Sequence, residues 1–261
     1  MKRVNVRFVF ASLASALLVA CAACARVPGP EMRVTTKTDA GTTTALPAAE
    51  VAARKNALVR FVHAVPGLAA LDLFAGDTKA FAGASYKTAT GYQELAGAKG
   101  VLRLRLAGQD SAEPLAEESE GFGAGTYNTI VAVPARGMFA KAGGAELHFV
   151  ADEFEAPAAG KARVRVFNAS PDLDELDLYV SGRAEPVVKG AKFGAASSFA
   201  EAEPSPAGIE VRRAGENTAT LAVPGMKIEA GGLYTVFVVG GTKGAAKLEA
   251  FVVEDRLGAA Q

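Results

Sequence analysis

The sequence predicts an all-β protein: two tandem immunoglobulin-like antiparallel β-sandwiches behind a lipoprotein signal peptide and a flexible tether. Three observations carry that expectation. Residues 58–76 and 163–181 are two copies of one stretch, with eight identities and no gap, where chance gives roughly one or two. Apolar residues alternate with a period of two, as in Leu102, Leu104 and Leu106 set against Arg103 and Arg105. Short runs of this kind are separated by Gly, Pro and Asn turns, with no sustained helical period between them.

In chain order, residues 1–20 read as a signal peptide. Lys2, Arg3 and Arg7 precede an apolar run from Phe8 to Ala20, too short for a membrane-spanning helix of about 20 apolar residues. It ends Leu18-Val19-Ala20-Cys21, which resembles the bacterial lipoprotein cleavage box and makes Cys21 the expected site of lipidation, with Cys24 as the less fitting alternative. Several acyl chains anchor stably where one is marginal, since each buried CH₂ contributes about 0.8 kcal/mol. Ala22 rather than Asp follows the anchor, which implies an outer-membrane lipoprotein facing the periplasm or the cell surface.

Residues 21–54, the lipidated Cys and a stretch rich in Ala, Thr and Pro, read as a flexible tether. The repeats follow at 55–156 and 160–258, each long enough to bury its own core. The linker between them is short, so the two sandwiches are expected to touch. The full chain balances 28 basic against 28 acidic residues, and loss of the leader leaves it mildly acidic, with no basic field for nucleic acid. With Cys21 lipidated, Cys24 is the one thiol left, so neither repeat can hold an internal disulfide.

Gly-x-Tyr precedes a strong strand at Tyr127 and again at Tyr234. These tyrosines are read either as tyrosine corners, each hydroxyl bonded to backbone a few residues upstream, or as plain core residues. The repeat signature itself comprises Arg60, Pro66 and Asp72 in the first copy and Arg165, Pro171 and Asp177 in the second. With the downstream Tyr strand, it resembles the bacterial family catalogued as domain of unknown function 4397. That resemblance implies secreted or surface proteins, often in tandem copies and without an assigned activity. Copy 1 has His63 but Val65-Pro66-Gly67, while copy 2 has Ser170-Pro171-Asp172 but Asn168, so neither copy carries the His, Ser and Asp together.

The chemistry-bearing residues are sparse. Two His, at 63 and 148, support neither a nucleophilic triad nor a zinc site. Asp172, Asp174, Glu175 and Asp177 lack calcium-loop spacing, and copy 1 keeps Asp72 alone of the four. The Gly-rich runs at 121–125 and 240–244 lack phosphate-loop spacing. Tyr86 and Tyr92 recur as Phe193 and Phe199, which marks them as packing residues. The expectation is a protein that is not an enzyme, with no cofactor and no metal. Its partners are the membrane, through the lipid, and an envelope protein or glycan bound by the two repeats. The alternatives are a structural surface lipoprotein without a specific ligand and an envelope hydrolase with a site between the domains.

Overall fold

The computed structural model describes residues 43–45, 48–95, 100–137, 144–241 and 246–257. The signal peptide, Cys21 and most of the tether lie outside the described residues. A strand β1 (Thr43–Ala45) and a one-turn helix α1 (Ala48–Ala52) precede the repeats. Repeat 1 is built from β2 (Ala57–His63), β3 (Leu71–Ala75), β4 (Thr78–Ala84), β5 (Thr88–Ala89), β6 (Gln93–Leu95), β7 (Gly100–Leu106), β8 (Ala116–Glu120), β9 (Tyr127–Pro134) and β10 (Ala145–Asp152). Repeat 2 is built from β11 (Ala162–Asn168), β12 (Glu175–Val180), β13 (Val188–Lys192), β14 (Ala200–Ala202), β15 (Ile209–Arg213), β16 (Leu221–Val223), β17 (Leu233–Val239) and β18 (Glu249–Leu257).

Each repeat is a two-sheet sandwich. The outer sheets run β4-β3-β7-β8 and β13-β12-β15-β16; the inner sheets run β10-β9-β2-β5, with β6 also on β2, and β1-β18-β17-β11-β14. Most pairings are antiparallel, but the first strand of each repeat lies parallel to a late one, β2 on β9 and β11 on β17. A parallel neighbour needs a long crossover, and the whole outer sheet of each repeat supplies it.

Three apolar layers result. One lies between the sheets of repeat 1, around Phe61, Leu73 and Leu104, and one between those of repeat 2, around Val166, Leu178 and Val211. The third lies between the two inner sheets, where Val62, Val131 and Val133 meet Phe167, Phe237 and Phe251. The inner strands are therefore buried on both faces, and all seven residues of β2 and of β17 are buried. This explains their near-continuous apolar sequences, which a half-buried strand would not need.

The structure corrects the tether. Thr43–Ala45 forms a parallel strand on Asp255–Leu257 of β18, and α1 buries Val51 against Leu58 and Tyr127. The edge of β18 would otherwise present unpaired backbone groups, and β1 satisfies them. Gly125, at φ +72°, lies so close that a Cβ there would come within 2.9 Å of the Val51 carbonyl oxygen.

Candidate functional site

The recurring residues of the two copies serve two separate ends. Asp72 and Asp177 pin turns inside their own repeats. Asp72 accepts from Gly83 N at 2.7 Å and from Gly108 N at 3.2 Å; Asp177 accepts from Gly190 N at 2.8 Å and Gly215 N at 3.4 Å. All four glycines have positive φ, a conformation that favours glycine. Backbone hydrogen bonds and the Lys79 ammonium hold the Asp72 carboxyl below its ordinary value despite burial. Pro66 and Pro171 sit in the turns that close β2 and β11.

His63 and Asn168 have matching jobs although they differ in chemistry. Nδ1 of His63 accepts from Val65 N at 3.2 Å, and Nε2 donates to Ala69 O at 3.1 Å. Asn168 Oδ1 accepts from Ser170 N at 3.1 Å, and Nδ2 donates to Leu173 O at 2.8 Å. Both are wholly buried loop latches. Burial lowers the His63 pKa, which agrees with a neutral ring holding its proton on Nε2. Ser170, in the second copy, is also fully buried, and its Oγ meets no hydrogen-bond partner among the described residues.

Arg60 and Arg165 point the other way, out of their own sandwiches and into the layer between the repeats. Arg60 donates to both carboxylate oxygens of Asp255, at 2.7 and 3.2 Å, and through Nε to Thr129 Oγ1 at 2.8 Å. Arg165 donates to Asp152 and, through Nε, to Thr235 Oγ1 at 2.9 Å. Each Arg thus pairs with the acid of the opposite repeat. Tyr92 lies under the Arg60 guanidinium at 4.7 Å and Phe199 under that of Arg165 at 4.5 Å. Asp152 also accepts from Thr129 Oγ1 at 2.6 Å and from Tyr92 Oη at 2.7 Å; Phe199, the counterpart of Tyr92, has no hydroxyl to give Asp255 the second of these bonds. Burial works against the charge on Asp152, but Arg165, Arg60 and Thr129 outweigh it and hold the carboxyl below its ordinary value.

These contacts form a pseudo-twofold arrangement, repeat 1 giving and receiving what repeat 2 gives and receives. Asp152 pairs with Tyr127 in its sheet and Asp255 with Leu233, so Tyr127 is the counterpart of Leu233. Tyr234 is therefore displaced by one residue from Tyr127, and the two do not share a face. Tyr234 lies in the core of its repeat, where Glu229 N donates to its hydroxyl at 3.0 Å. Tyr127 turns away from its own sandwich core, onto the face of β9 that carries Thr129, against Val51, Tyr92 and Phe154. The glycines that correspond are Gly125 and Gly231, both at positive φ, rather than Gly125 and Gly232.

Sequence reasoning recognised Arg60 and Arg165 as recurrent but missed Asp152, Asp255, Thr129 and Thr235. The signal available was the pair of apolar runs, 129–133 and 235–239, with a Thr heading each. His148 is half-buried across the repeat boundary, its ring 6.0 Å from that of Phe193. Gly194 makes room for it, since a Cβ there would lie 2.4 Å from the imidazole.

A groove of about 410 Å³ opens beside this layer and draws on both repeats. Phe149 and Glu153 line it from the β10 side, and Arg163, Ser197, Ser198 and Phe199 from repeat 2. Arg163 is held by Glu155 at 2.9 Å. Among the described residues no three His, Cys, Asp or Glu stand together as metal ligands, and no helix is long and apolar enough to cross a membrane.

Fold and interface together define a tandem β-sandwich protein whose repeats are locked as a pseudosymmetric pair. The chain belongs to the family described as a domain of unknown function (DUF4397), whose model matches residues 57–179 and 164–261. No curated protein matches it. Among solved structures, the crystal structure of a candidate cell adhesion protein from Bacteroides eggerthii is 9% identical over 78% of this chain and 98% of its own. Its TM-score is 0.20.

Proposed function

We propose that this protein is a non-catalytic, lipid-anchored component of the cell envelope, held to the outer membrane through Cys21, whose paired repeats act as one binding or adaptor module. The observation that carries this reading is the groove between the repeats, which neither repeat forms alone. It favours a ligand-binding role over a purely structural one, since a rigid pair positions groups from both repeats around one partner. The hydrolase reading needs His63 as a free base, and both ring nitrogens of that side chain are engaged in backbone hydrogen bonds.

The test is in-cell crosslinking and affinity capture from outer membranes, comparing wild type with Cys21→Ser. A specific partner recovered with wild type and lost with the unanchored variant is the expected result. Capture of nothing specific with either would leave the structural reading in its place.

A further inference from the structure

We propose that the groove beside β10 receives an extended segment of a partner protein, which adds to the β10 edge as a parallel strand. This rests on the binding-module reading and supplies its mode of recognition.

The argument begins with the pseudo-twofold axis. Asp255 and Asp152 are counterparts, and β1 lies parallel on the Asp255 edge, with Thr43 opposite Asp255. The corresponding edge at Asp152 has no such strand: among the described residues β10 ends its sheet, with β9 as its one neighbour. The groove lies at that edge, and Glu153, the residue after Asp152, is part of its lining.

The linker between the repeats lacks the length to fill this position. Thr43 stands 14 residues ahead of Ala57, where repeat 1 opens; 14 residues ahead of Ala162, where repeat 2 opens, is His148, inside β10. The segment that would act as a second β1 is already the edge strand it would have to cover. An unpaired edge beside an apolar wall is a template for strand addition, in which backbone hydrogen bonds give affinity and alternate side chains give selectivity.

The lining defines the occupant. Phe149 and Phe199 flank the groove with apolar surface, and the exposed Ser198 offers a hydroxyl. The Arg163 charge is met by Glu155 and that of Arg165 by Asp152. The exposed Glu153 carboxylate then sets the sign of the site. A strand of small β-branched residues with a Lys or Arg facing Glu153 is complementary to it.

The probe is a fluorescein-labelled peptide, Gly-Thr-Thr-Thr-Ala-Leu-Lys, which carries the β1 sequence and a terminal lysine, added to the full chain. Hydrogen exchange should show new protection of amides in 149–154 and none in 255–257. Ser198→Trp, which fills the groove from an exposed position, should weaken binding at least about tenfold, and N-methylation of alternate peptide amides should abolish it. Absence of protection at 149–154 with about 1 mM peptide would overturn the proposal, given that concentration's reach to weak affinities. Protection lost at 255–257 would overturn it too, since the peptide would then be displacing β1. A dimer in sedimentation that Ser198→Trp dissolves would make the occupant a second copy, again against the proposal. In the capture experiment, a partner retained by Ser198→Trp defeats strand addition but leaves the binding module standing; no partner with wild type defeats the binding module itself.

Discussion

At the scale of single residues, the two copies solve one local problem with different side chains. His63 and Asn168 each accept from the backbone amide two residues on and donate to a carbonyl of the following loop. Only the imidazole titrates. Its pKa is lowered in the fold, so its contribution is fully present above the ordinary imidazole value and is lost as pH falls through the lowered one. Repeat 1 should therefore weaken as pH falls below about 6.5, and His63→Asn should flatten that dependence, as denaturant midpoints across that range would show. An unchanged pH slope in the variant would mean that His63 does not carry it. Sequence reports residue type and not whether ring nitrogens are already engaged, so this latch could not be read from the motif.

At the scale of strands, a shift of one residue decides a role. Gly-x-Tyr occurs before β9 and before β17, yet the parallel pairing with β2 and β11 sets Tyr127 opposite Leu58 and Leu233 opposite Arg163. Successive side chains leave opposite faces of a strand, so Tyr234 enters its core while Tyr127 leaves its own. Tyr234→Phe strips Glu229 N of its acceptor and should cost about 1–2 kcal/mol, measured as a lowered unfolding midpoint. A shift of less than a few tenths of a kcal/mol would show that water replaces the hydroxyl there. The alternation of β7 and β15 was plain in sequence because each has a markedly polar face. That of β2 and β17 was obscured by burial on both sides.

At the scale of the whole molecule, the layer between the inner sheets turns two sandwiches into one body. Its aromatic centre includes Phe237 stacked on Phe251 at 5.0 Å, with Arg60–Asp255 and Arg165–Asp152 beside it. Removing one partner of a buried ion pair leaves the other uncompensated. Asp255→Ala should destabilise by about 3–5 kcal/mol, and Arg60→Leu in that background should recover part of the loss in a double-mutant cycle. Additive losses would argue that the pair is not coupled. The same face is self-complementary, because Arg and Asp sit on it in both repeats. Repeat 2 expressed alone, residues 160–258, should therefore form a symmetric dimer in sedimentation, with Arg165 of each copy meeting Asp255 of the other. A monomer at micromolar concentration would show that the face needs repeat 1 in particular.

The linear order of residues was enough to establish the duplicated unit, its β character and the contact between the copies. Each of these follows from local periodicity, identities at constant spacing and the brevity of the linker. It also singled out Arg60, Asp72, Arg165 and Asp177 as recurrent, without distinguishing the acids that pin turns from the arginines that join repeats. That distinction depends on which face of a doubly buried strand meets which layer, and no period of two can express it. The partners Asp152 and Asp255 lie 13 residues before Arg165 and 195 after Arg60. Separations so unlike belong to one interaction because the pseudo-twofold axis brings both to the same layer. Among the described residues the same axis leaves one edge covered by β1 and the other open, because the segment ahead of repeat 2 that corresponds to β1 is itself β10.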